Sequence, residues 1–168
     1  NVNIEALKKL KLEGKRIIPD PDKLEIIQDK GLQKQFFEKI KTPSSSFNLF
    51  ETKQEIINSI NNGNLSFPFV QKLRKGGYDG KGVSIIRSKD DLNNLLDGAS
   101  VVEHLVDIEK EISAIVARNE RGEVKCHPTV EMEFNPKANL VEKLICPSTL
   151  PAEIENEAEE IAINIITE

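Results

Sequence analysis

The chain has 168 residues, of which 38% are hydrophobic, so it can bury one sizeable core but not two large ones. Its 23 lysine and arginine side chains against 28 aspartate and glutamate side chains give a formal net charge of -5, which argues against an extended nucleic-acid-binding surface. No apolar run approaches the roughly 20 residues that span a bilayer, and the opening segment NVNIEALKKL lacks the apolar core of a signal peptide. We therefore expect a cytoplasmic protein that binds neither nucleic acid nor a membrane.

The first part of the chain predicts two helices around a segment marked by prolines. Residues 4–12 have a helical pattern, and Pro19 and Pro21 then predict a short extended piece. Residues 29–40 predict a second helix, which Pro43 stops. The apolar inner face of this helix consists of Leu32, Phe36, Phe37 and Ile40. The SSSFNLF segment that follows predicts a linker or the start of a strand.

Two predicted strands flank a glycine-rich loop in the middle of the chain. A helix over residues 55–60 and an NNGN turn precede the first strand, at residues 67–73, and residues 83–86 form the second. A further helix is predicted over residues 90–96. The glycine-rich loop therefore connects one strand directly to the next.

The last third of the chain predicts strands and a long final helix. Strand patterns occur at residues 101–106, 113–118 and 139–145, and Gly122 with Glu123 marks a hairpin turn. The apolar stripe of the final helix consists of Ile154, Ala158, Ile161, Ala162 and Ile165. No stop signal follows its last turn, so we expect a fragment of a longer protein. Together the elements predict an α+β fold with a mostly antiparallel middle.

The GGYDGKG loop, residues 76–82, places four glycines between two strands, and glycines let backbone N–H groups approach a phosphate. The cations in and around it are Lys72, Arg74, Lys75 and Lys81. Walker and Rossmann loops both open a helix, whereas here a strand follows. A kinase lysine lies on the strand after the loop, and the chain has no HRD or DFG sequence. Two interpretations remain: a plain Asp-Gly hairpin turn, and a strand-to-strand phosphate loop with a lysine on the incoming strand.

Four stretches of the sequence occur in the order and at the spacing of a known family. They are QDKGLQKQF, KLRKGGYDGKGV, VVEHLVDIEKEISAIVAR and CPSTLPAEIENEAEEIA, with GGYDGKG as the most specific piece. In these motifs the chain resembles the ATP-grasp ligases, and within them the N5-carboxyaminoimidazole ribonucleotide synthetases of purine biosynthesis. The resemblance covers nearly the whole chain and implies an ATP-grasp fold, α+β with antiparallel sheets and flanking helices.

The resemblance also implies a nucleotide site. Lys30 and Lys72 would contact the ATP phosphates, and Glu111 would hold the ribose hydroxyls, since a carboxylate can accept two hydrogen bonds from a diol. The segment that reads adenine, largely through backbone groups, would be Glu103, His104, Leu105 and Val106. The flexible lid would be Gly77, Tyr78, Asp79, Gly80, Lys81 and Gly82. Of these, the catalytic residues that meet the aminoimidazole ribonucleotide or the carboxylating intermediate would be Tyr78, Asp79 and Lys81.

Without the resemblance, several of these residues have plainer interpretations. Lys30 at the start of a helix suits a solvated lysine, and Glu103 and Glu111 suit a charged bend between strands. His104 suits a half-buried histidine. One position departs from the family, because Phe134 stands where many members have a histidine that contacts the nucleotide.

The reaction implied by the resemblance uses ATP to activate bicarbonate as carboxyphosphate, which then carboxylates the amine of aminoimidazole ribonucleotide and releases ADP and phosphate. Mg²⁺ would bridge the phosphates. Its ligands are expected beyond residue 168, so no metal ligand is assigned within the chain. Two alternatives stay open: another ATP-grasp ligase, such as a biotin carboxylase-like enzyme, and a non-catalytic interaction module.

The resemblance implies three parts of the chain. Residues 1–20 would be a remnant of an N-terminal domain and linker, and residues 21–100 the first ATP-grasp subdomain with its lid. Residues 101–168 would be part of the second subdomain, truncated before the metal site. We expect the parent protein to be a homodimer and the isolated segment to be inactive.

Overall fold

The computed structural model of the chain describes residues 2–77, 81–135 and 140–168. The chain divides into two compact units, the first comprising Asn1–Phe36 and Ser45–Leu105 and the second Phe37–Ser44 and Val106–Glu168. The sequence-based division into residues 1–20, 21–100 and 101–168 stays a prediction.

Three helices open the described part of the chain: α1 Ile4–Leu12, α2 Pro21–Gln28 and α3 Lys30–Lys39. Helix α1 has the predicted bounds and begins where the Asn3 side chain accepts a hydrogen bond from the amide of Ala6. The extended piece predicted over residues 15–24 is wrong from Pro21 onward, because Pro21 begins α2. Proline suits the first helical position, where its missing N–H costs nothing, and Asp20 caps the helix by accepting from the amide of Asp22 at 2.9 Å.

The described part of the first unit contains a four-stranded sheet. Its strands are β1 Phe47–Phe50, β2 Phe69–Leu73, β3 Val83–Ile86 and β4 Ser100–His104. They are antiparallel in the order β1-β4-β2-β3, so the glycine-rich loop joins the neighbouring strands β2 and β3 as predicted. Helix α4, Lys53–Asn61, follows β1. The helix predicted over residues 90–96 is a 3₁₀ helix, Lys89–Asn94, which begins at a capping box between Ser88 and Asp91.

The hydrophobic core of the first unit lies on one face of this sheet. Its buried members are Ile56, Phe69, Ile86, Leu95 and Val102. Because side chains alternate along a strand, Lys72 and Glu103 lie on the opposite face from Phe69 and Val102. One face therefore builds the core, and the other carries charged side chains.

Gln71 is a fully buried polar residue on the core face. Its amide nitrogen donates to the Leu96 carbonyl and to the Ser100 hydroxyl, both at 2.9 Å, and its amide oxygen accepts from the Leu96 N–H at 2.8 Å. A buried amide is tolerated when its polar atoms have such partners. These bonds tie β2 to the segment that leads into β4.

The second unit is described as five short strands and one long helix. They are β5 Glu111–Ser113, β6 Val116–Arg118, β7 Val124–Cys126, β8 Val130–Phe134, β9 Val141–Ile145 and α5 Ala152–Thr167. One antiparallel sheet has the order β5-β8-β9, and β6 pairs with β7 around Gly122, whose φ is 83°. The single strand predicted over residues 113–118 is wrong, because this stretch contributes to two different sheets. The hairpin turn predicted at Gly122 is present.

The α+β fold with antiparallel sheets and flanking helices is confirmed, since every strand pair within the described ranges is antiparallel. Among the helices of residues 2–77, 81–135 and 140–168, none combines the length and the apolar character needed to cross a bilayer.

Ile56 on α4 has no solvent exposure and tests the core of the first unit. Ile56→Ala removes buried methyl groups and leaves a cavity, so it should lower the free energy of unfolding by about 2–5 kcal/mol. Urea unfolding followed by circular dichroism measures the loss. Leu12→Ala is the control, because Leu12 is 89% exposed and its truncation should cost little. Equal losses in the two variants would contradict the assignment of the core.

Candidate functional site

Lys72 and Glu103 contact each other on the charged face of the first unit's sheet. Lys72 lies on β2 and is paired with Val101, while Glu103 lies on β4 and is paired with Val70. The two side chains are therefore diagonal neighbours on one face, within reach of long side chains. The Lys72 ammonium donates a hydrogen bond of 2.8 Å to Glu103 Oε2.

Lys34 and Ser45 complete the surroundings of the Glu103 carboxylate. The Lys34 ammonium lies 3.6 Å from Glu103 Oε1 and donates to the Ser45 carbonyl at 2.9 Å. The Ser45 hydroxyl donates to Glu103 Oε2 at 3.1 Å, and the Lys34 ammonium lies 5.4 Å from the centre of the Phe47 ring. Sequence reasoning missed Lys34 and Ser45, because a lysine on an amphipathic helix is ordinarily solvated. In the structure the Lys34 side chain is only 10% exposed.

Glu103 is ionised in this setting although its side chain is only 13% exposed. Burial alone raises the pKa of a carboxyl group. The hydrogen bond from Lys72 and the positive charges of Lys72 and Lys34 outweigh burial, so the pKa of Glu103 lies below its ordinary value. The cluster therefore holds a fixed negative charge between two cations.

The glycine-rich loop begins close to Lys30, the first residue of α3. The loop is closed at its base by a hydrogen bond of 2.8 Å from the Leu73 amide to the Gly82 carbonyl. A Cβ placed on Gly77 would lie 2.9 Å from the Lys81 carbonyl oxygen and 3.5 Å from the Lys30 ammonium, so only glycine fits there. The Lys30 ammonium and the Lys81 backbone carbonyl therefore both lie next to Gly77.

Three of the predicted lid residues, Tyr78, Asp79 and Gly80, lie outside the described residues. Gly82, at the end of the loop, has a φ of 76°, a left-handed conformation that favours glycine. At the two ends of the loop, Gly82 thus provides a left-handed backbone conformation, and Gly77 allows the Lys81 carbonyl to come close.

The predicted adenine segment begins at the end of β4. The His104 amide donates to the Ser46 carbonyl at 3.1 Å and the Leu105 amide to the Pro68 carbonyl at 3.5 Å. The division between the two units falls between Leu105 and Val106. The backbone N–H groups of His104 and Leu105 therefore bond within the fold.

Glu111, the predicted ribose ligand, belongs to the second unit, whereas Lys30, Lys72 and Glu103 belong to the first. Glu111 lies on β5, is exposed, and lines a cavity of about 540 Å³. Phe134, at the position where the resemblance leads one to expect a histidine, lines the same cavity. That position therefore offers an aromatic surface instead of a ring nitrogen.

Glu131 is a buried carboxylate in the same cavity. It accepts hydrogen bonds from the Thr149 amide, from the Thr149 hydroxyl at 2.6 Å and from the Lys110 ammonium at 2.9 Å. The bond from the Thr149 hydroxyl, followed by those from Lys110 and from the Thr149 amide, lowers the pKa of Glu131 to about 2. Sequence reasoning missed Glu131, because its partners lie 18 and 21 positions away in the chain.

Within the described residues, no group of three or more histidine, cysteine, aspartate and glutamate side chains is arranged to hold a metal ion.

Comparison with known protein families identifies the class of protein. The family model of the ATP-grasp domain matches residues 35–168. The chain belongs to the ATP-grasp family. Its fold and its lysines around a glycine-rich hairpin loop agree with that assignment.

Within this family the chain is similar to N5-carboxyaminoimidazole ribonucleotide synthases. The synthase of Synechocystis is 35% identical over 133 residues, which cover 77% of this chain and 32% of that protein. The synthetase structure from Thermotoga maritima is 37% identical with a TM-score of 0.81, covering 99% of this chain and 41% of that one. The Staphylococcus aureus synthetase complexed with ADP is 27% identical with a TM-score of 0.83, covering 99% and 44%. The chain spans less than half the length of each of these relatives.

The lowered pKa of Glu103 predicts a pH-dependent contribution to stability. The stabilisation is present above the ordinary glutamate pKa of about 4.3 and is lost as pH falls through the lower pKa of the folded state. Glu103→Gln should therefore lower the free energy of unfolding at pH 7 by about 1–3 kcal/mol. The stabilities of variant and wild type should converge in acid.

Urea unfolding between pH 7 and pH 3 measures this difference, with the exposed Glu13→Gln as the control. A difference that stays constant down to pH 3 would contradict the charged role of Glu103.

Proposed function

We propose that this chain is the ATP-binding part of an N5-carboxyaminoimidazole ribonucleotide synthetase. The enzyme uses ATP and bicarbonate to carboxylate 5-aminoimidazole ribonucleotide, giving N5-carboxyaminoimidazole ribonucleotide, ADP and phosphate. Membership of the ATP-grasp family and the similarity to synthases of this name support the proposal.

The contact between Lys72 and Glu103 is the observation that carries the proposal. Lys72 lies near the end of β2, just before the glycine-rich loop, and Glu103 holds its ammonium at 2.8 Å. Lys34 shares the same carboxylate, so the three side chains together have one more positive than negative charge. A fixed surplus of positive charge beside a glycine-rich loop suits a polyphosphate.

In the proposed site, Lys30 and Lys72 hold the ATP phosphates and the loop of residues 77–82 covers them. The Lys30 ammonium lies beside Gly77, at the start of this loop. The first amides of α3 are not available to the phosphates, because the Lys30 amide bonds to the Arg74 carbonyl and the next two bond to Asp29. Phosphate binding therefore depends on the lysine side chains and the loop amides.

The remaining contacts of the proposed site follow the family. Backbone groups of residues 103–106 bind adenine, and Glu111 accepts hydrogen bonds from the ribose hydroxyls. We assign the catalytic roles toward the ribonucleotide or the carboxylating intermediate to Tyr78, Asp79 and Lys81.

The proposed reaction has two displacement steps. A bicarbonate oxygen attacks the γ-phosphorus of ATP, the bond to the β-phosphate oxygen breaks, and ADP leaves. The amine of the ribonucleotide then attacks the carbonyl carbon of carboxyphosphate, loses a proton, and displaces phosphate. Phosphoryl transfer needs positioning and charge neutralisation more than covalent help from the protein, which is what fixed lysines supply.

Mg²⁺ accompanies ATP in the proposal, as phosphoryl transfer usually requires. As the resemblance to the family implies, its ligands would lie beyond residue 168, and we derive no step through the ion. We also propose that the full-length protein is a cytoplasmic homodimer and that residues 1–168 alone do not catalyse.

Lys72→Ala tests the phosphate site. The variant removes the ammonium that Glu103 positions, so the full-length protein should lose most of its affinity for the ATP analogue AMP-PNP with Mg²⁺, by roughly 100-fold or more, as for a charge-assisted contact of about 3 kcal/mol. Isothermal titration measures the affinity, and thermal unfolding checks that the variant is folded. The matched control is Lys9→Ala, an exposed lysine on α1. Unchanged affinity in Lys72→Ala would remove Lys72 from the site, and no binding by the wild-type protein would favour a non-catalytic interaction module.

A panel of carboxyl acceptors tests the substrate, because an acceptor cannot be inferred from an ATP site alone. The full-length protein should form ADP only when bicarbonate and 5-aminoimidazole ribonucleotide are both present. Biotin and glycinamide ribonucleotide are the comparison acceptors. Faster ADP formation with either of these would favour another ATP-grasp ligase.

A further inference from the structure

Asp29 and Arg74 form a buried ion pair that the proposed function leaves unused. The Asp29 side chain is 4% exposed. The Arg74 Nε donates to Asp29 Oδ1 at 2.8 Å and Nη2 donates to Oδ2 at 2.9 Å, which is a two-pronged contact with both carboxylate oxygens. Arg74 also donates from Nη1 to the exposed Glu51 at 3.1 Å.

The same pair fixes the first turn of α3 to the end of β2. Asp29 Oδ1 accepts from the amides of Gly31 at 2.8 Å and Leu32 at 3.3 Å, and thereby caps the helix. The Lys30 amide donates to the Arg74 carbonyl at 3.0 Å, and the Arg74 amide donates to the Ala99 carbonyl at 2.9 Å. Lys30 is thus held through its backbone by the residue that pairs with the preceding aspartate.

Gly31 makes this arrangement possible, since the guanidinium lies against its Cα. A Cβ at this position would lie 2.6 Å from Arg74 Nε and 3.1 Å from Asp29 Oδ1. An alanine inside a helix ordinarily stabilises it relative to glycine. Here the added methyl group must displace the ion pair, so Gly31→Ala disturbs the pair without removing a charge.

The ion pair between Asp29 and Arg74 connects the chain segment that carries Lys30 to the segment that leads into the glycine-rich loop. Arg74 follows β2 immediately and precedes the loop, while Lys30 follows Asp29 immediately, and the Lys30 ammonium lies beside Gly77. A shift of the first turn of α3 relative to β2 would therefore move that ammonium away from the loop.

We propose that Arg74 and Asp29 are positioning residues, which hold the Lys30 ammonium at the start of the glycine-rich loop for the phosphates of the nucleotide. This inference rests on the proposed function. It assigns to Arg74 an effect on nucleotide affinity that acts through Lys30, without direct contact between Arg74 and the nucleotide.

A double-mutant cycle on the full-length protein tests the proposal, with AMP-PNP and Mg²⁺ as the probe and isothermal titration as the readout. Arg74→Ala and Gly31→Ala should each weaken binding on the order of 10-fold in the wild-type background. In the Lys30→Ala background each should weaken it less than about twofold, because the group they position is gone. If Arg74→Ala and Gly31→Ala acted only by destabilising the fold, they would lower the melting temperature, and with it the affinity, equally in both backgrounds.

Lys11→Ala is the matched control, since Lys11 pairs at 2.8 Å with Asp20, the cap of the neighbouring helix α2, just as Arg74 pairs with the cap of α3. It should leave the affinity unchanged. Unchanged affinity in Arg74→Ala, or an equal loss in the Lys30→Ala background, would overturn the positioning role while leaving ATP binding by Lys72 in place. A wild-type protein that does not bind the probe would overturn the proposed function and this inference together.

Discussion

The diagonal contact between Lys72 and Glu103 across strands β2 and β4 is the interaction on which the candidate site depends. It exists because the antiparallel register pairs Val70 with Glu103 and Lys72 with Val101. A slip of one residue in either strand would move its charged side chain to the core face. The core on the other face holds that register, since Phe69 and Val102 are buried there. Packing on one face thereby fixes charge on the other.

Burying charge is costly, and the site shows how the fold offsets that cost. Glu103 has two lysines and one hydroxyl around its carboxylate, and Asp29 has a guanidinium and two backbone amides. Pairs of this kind are weak contributors to net stability, because desolvation consumes much of the attraction. Their value in this protein is geometric. One pair fixes the ammonium of Lys72, and the other fixes the helix turn that carries Lys30.

Local patterns in the sequence predicted the elements whose ends are marked by local chemistry. Helix α1 and strand β3 have the predicted bounds, and the hairpin at Gly122 is where its turn residues indicated. Helix α2 was missed because Pro21 suggests an extended chain unless Asp20 is recognised as a cap. Composition and periodicity alone left the glycine-rich loop open between a plain turn and a phosphate loop. The family motifs predicted the lysines that would bind the nucleotide around it.

Long-range contacts explain what the sequence could not predict. Lys34 is buried only because Ser45 and Glu103 come to it, and Glu103 lies on a strand far along the chain. Arg74 and Asp29 are separated by 45 positions in the chain, so no local sequence pattern predicts that they pair. Such contacts depend on the register of a sheet and the docking of a helix, and both are properties of the folded chain.

The most direct test of the central claim is the ¹⁵N resonance of the Lys72 side-chain ammonium, recorded on the full-length protein with and without AMP-PNP and Mg²⁺. In the unliganded protein we expect a slowly exchanging ammonium hydrogen-bonded to Glu103, and on addition of the analogue we expect its resonance to shift while that of Lys9 does not. A Lys72 resonance that stays unchanged at saturating analogue would contradict the assignment of Lys72 to the phosphate site.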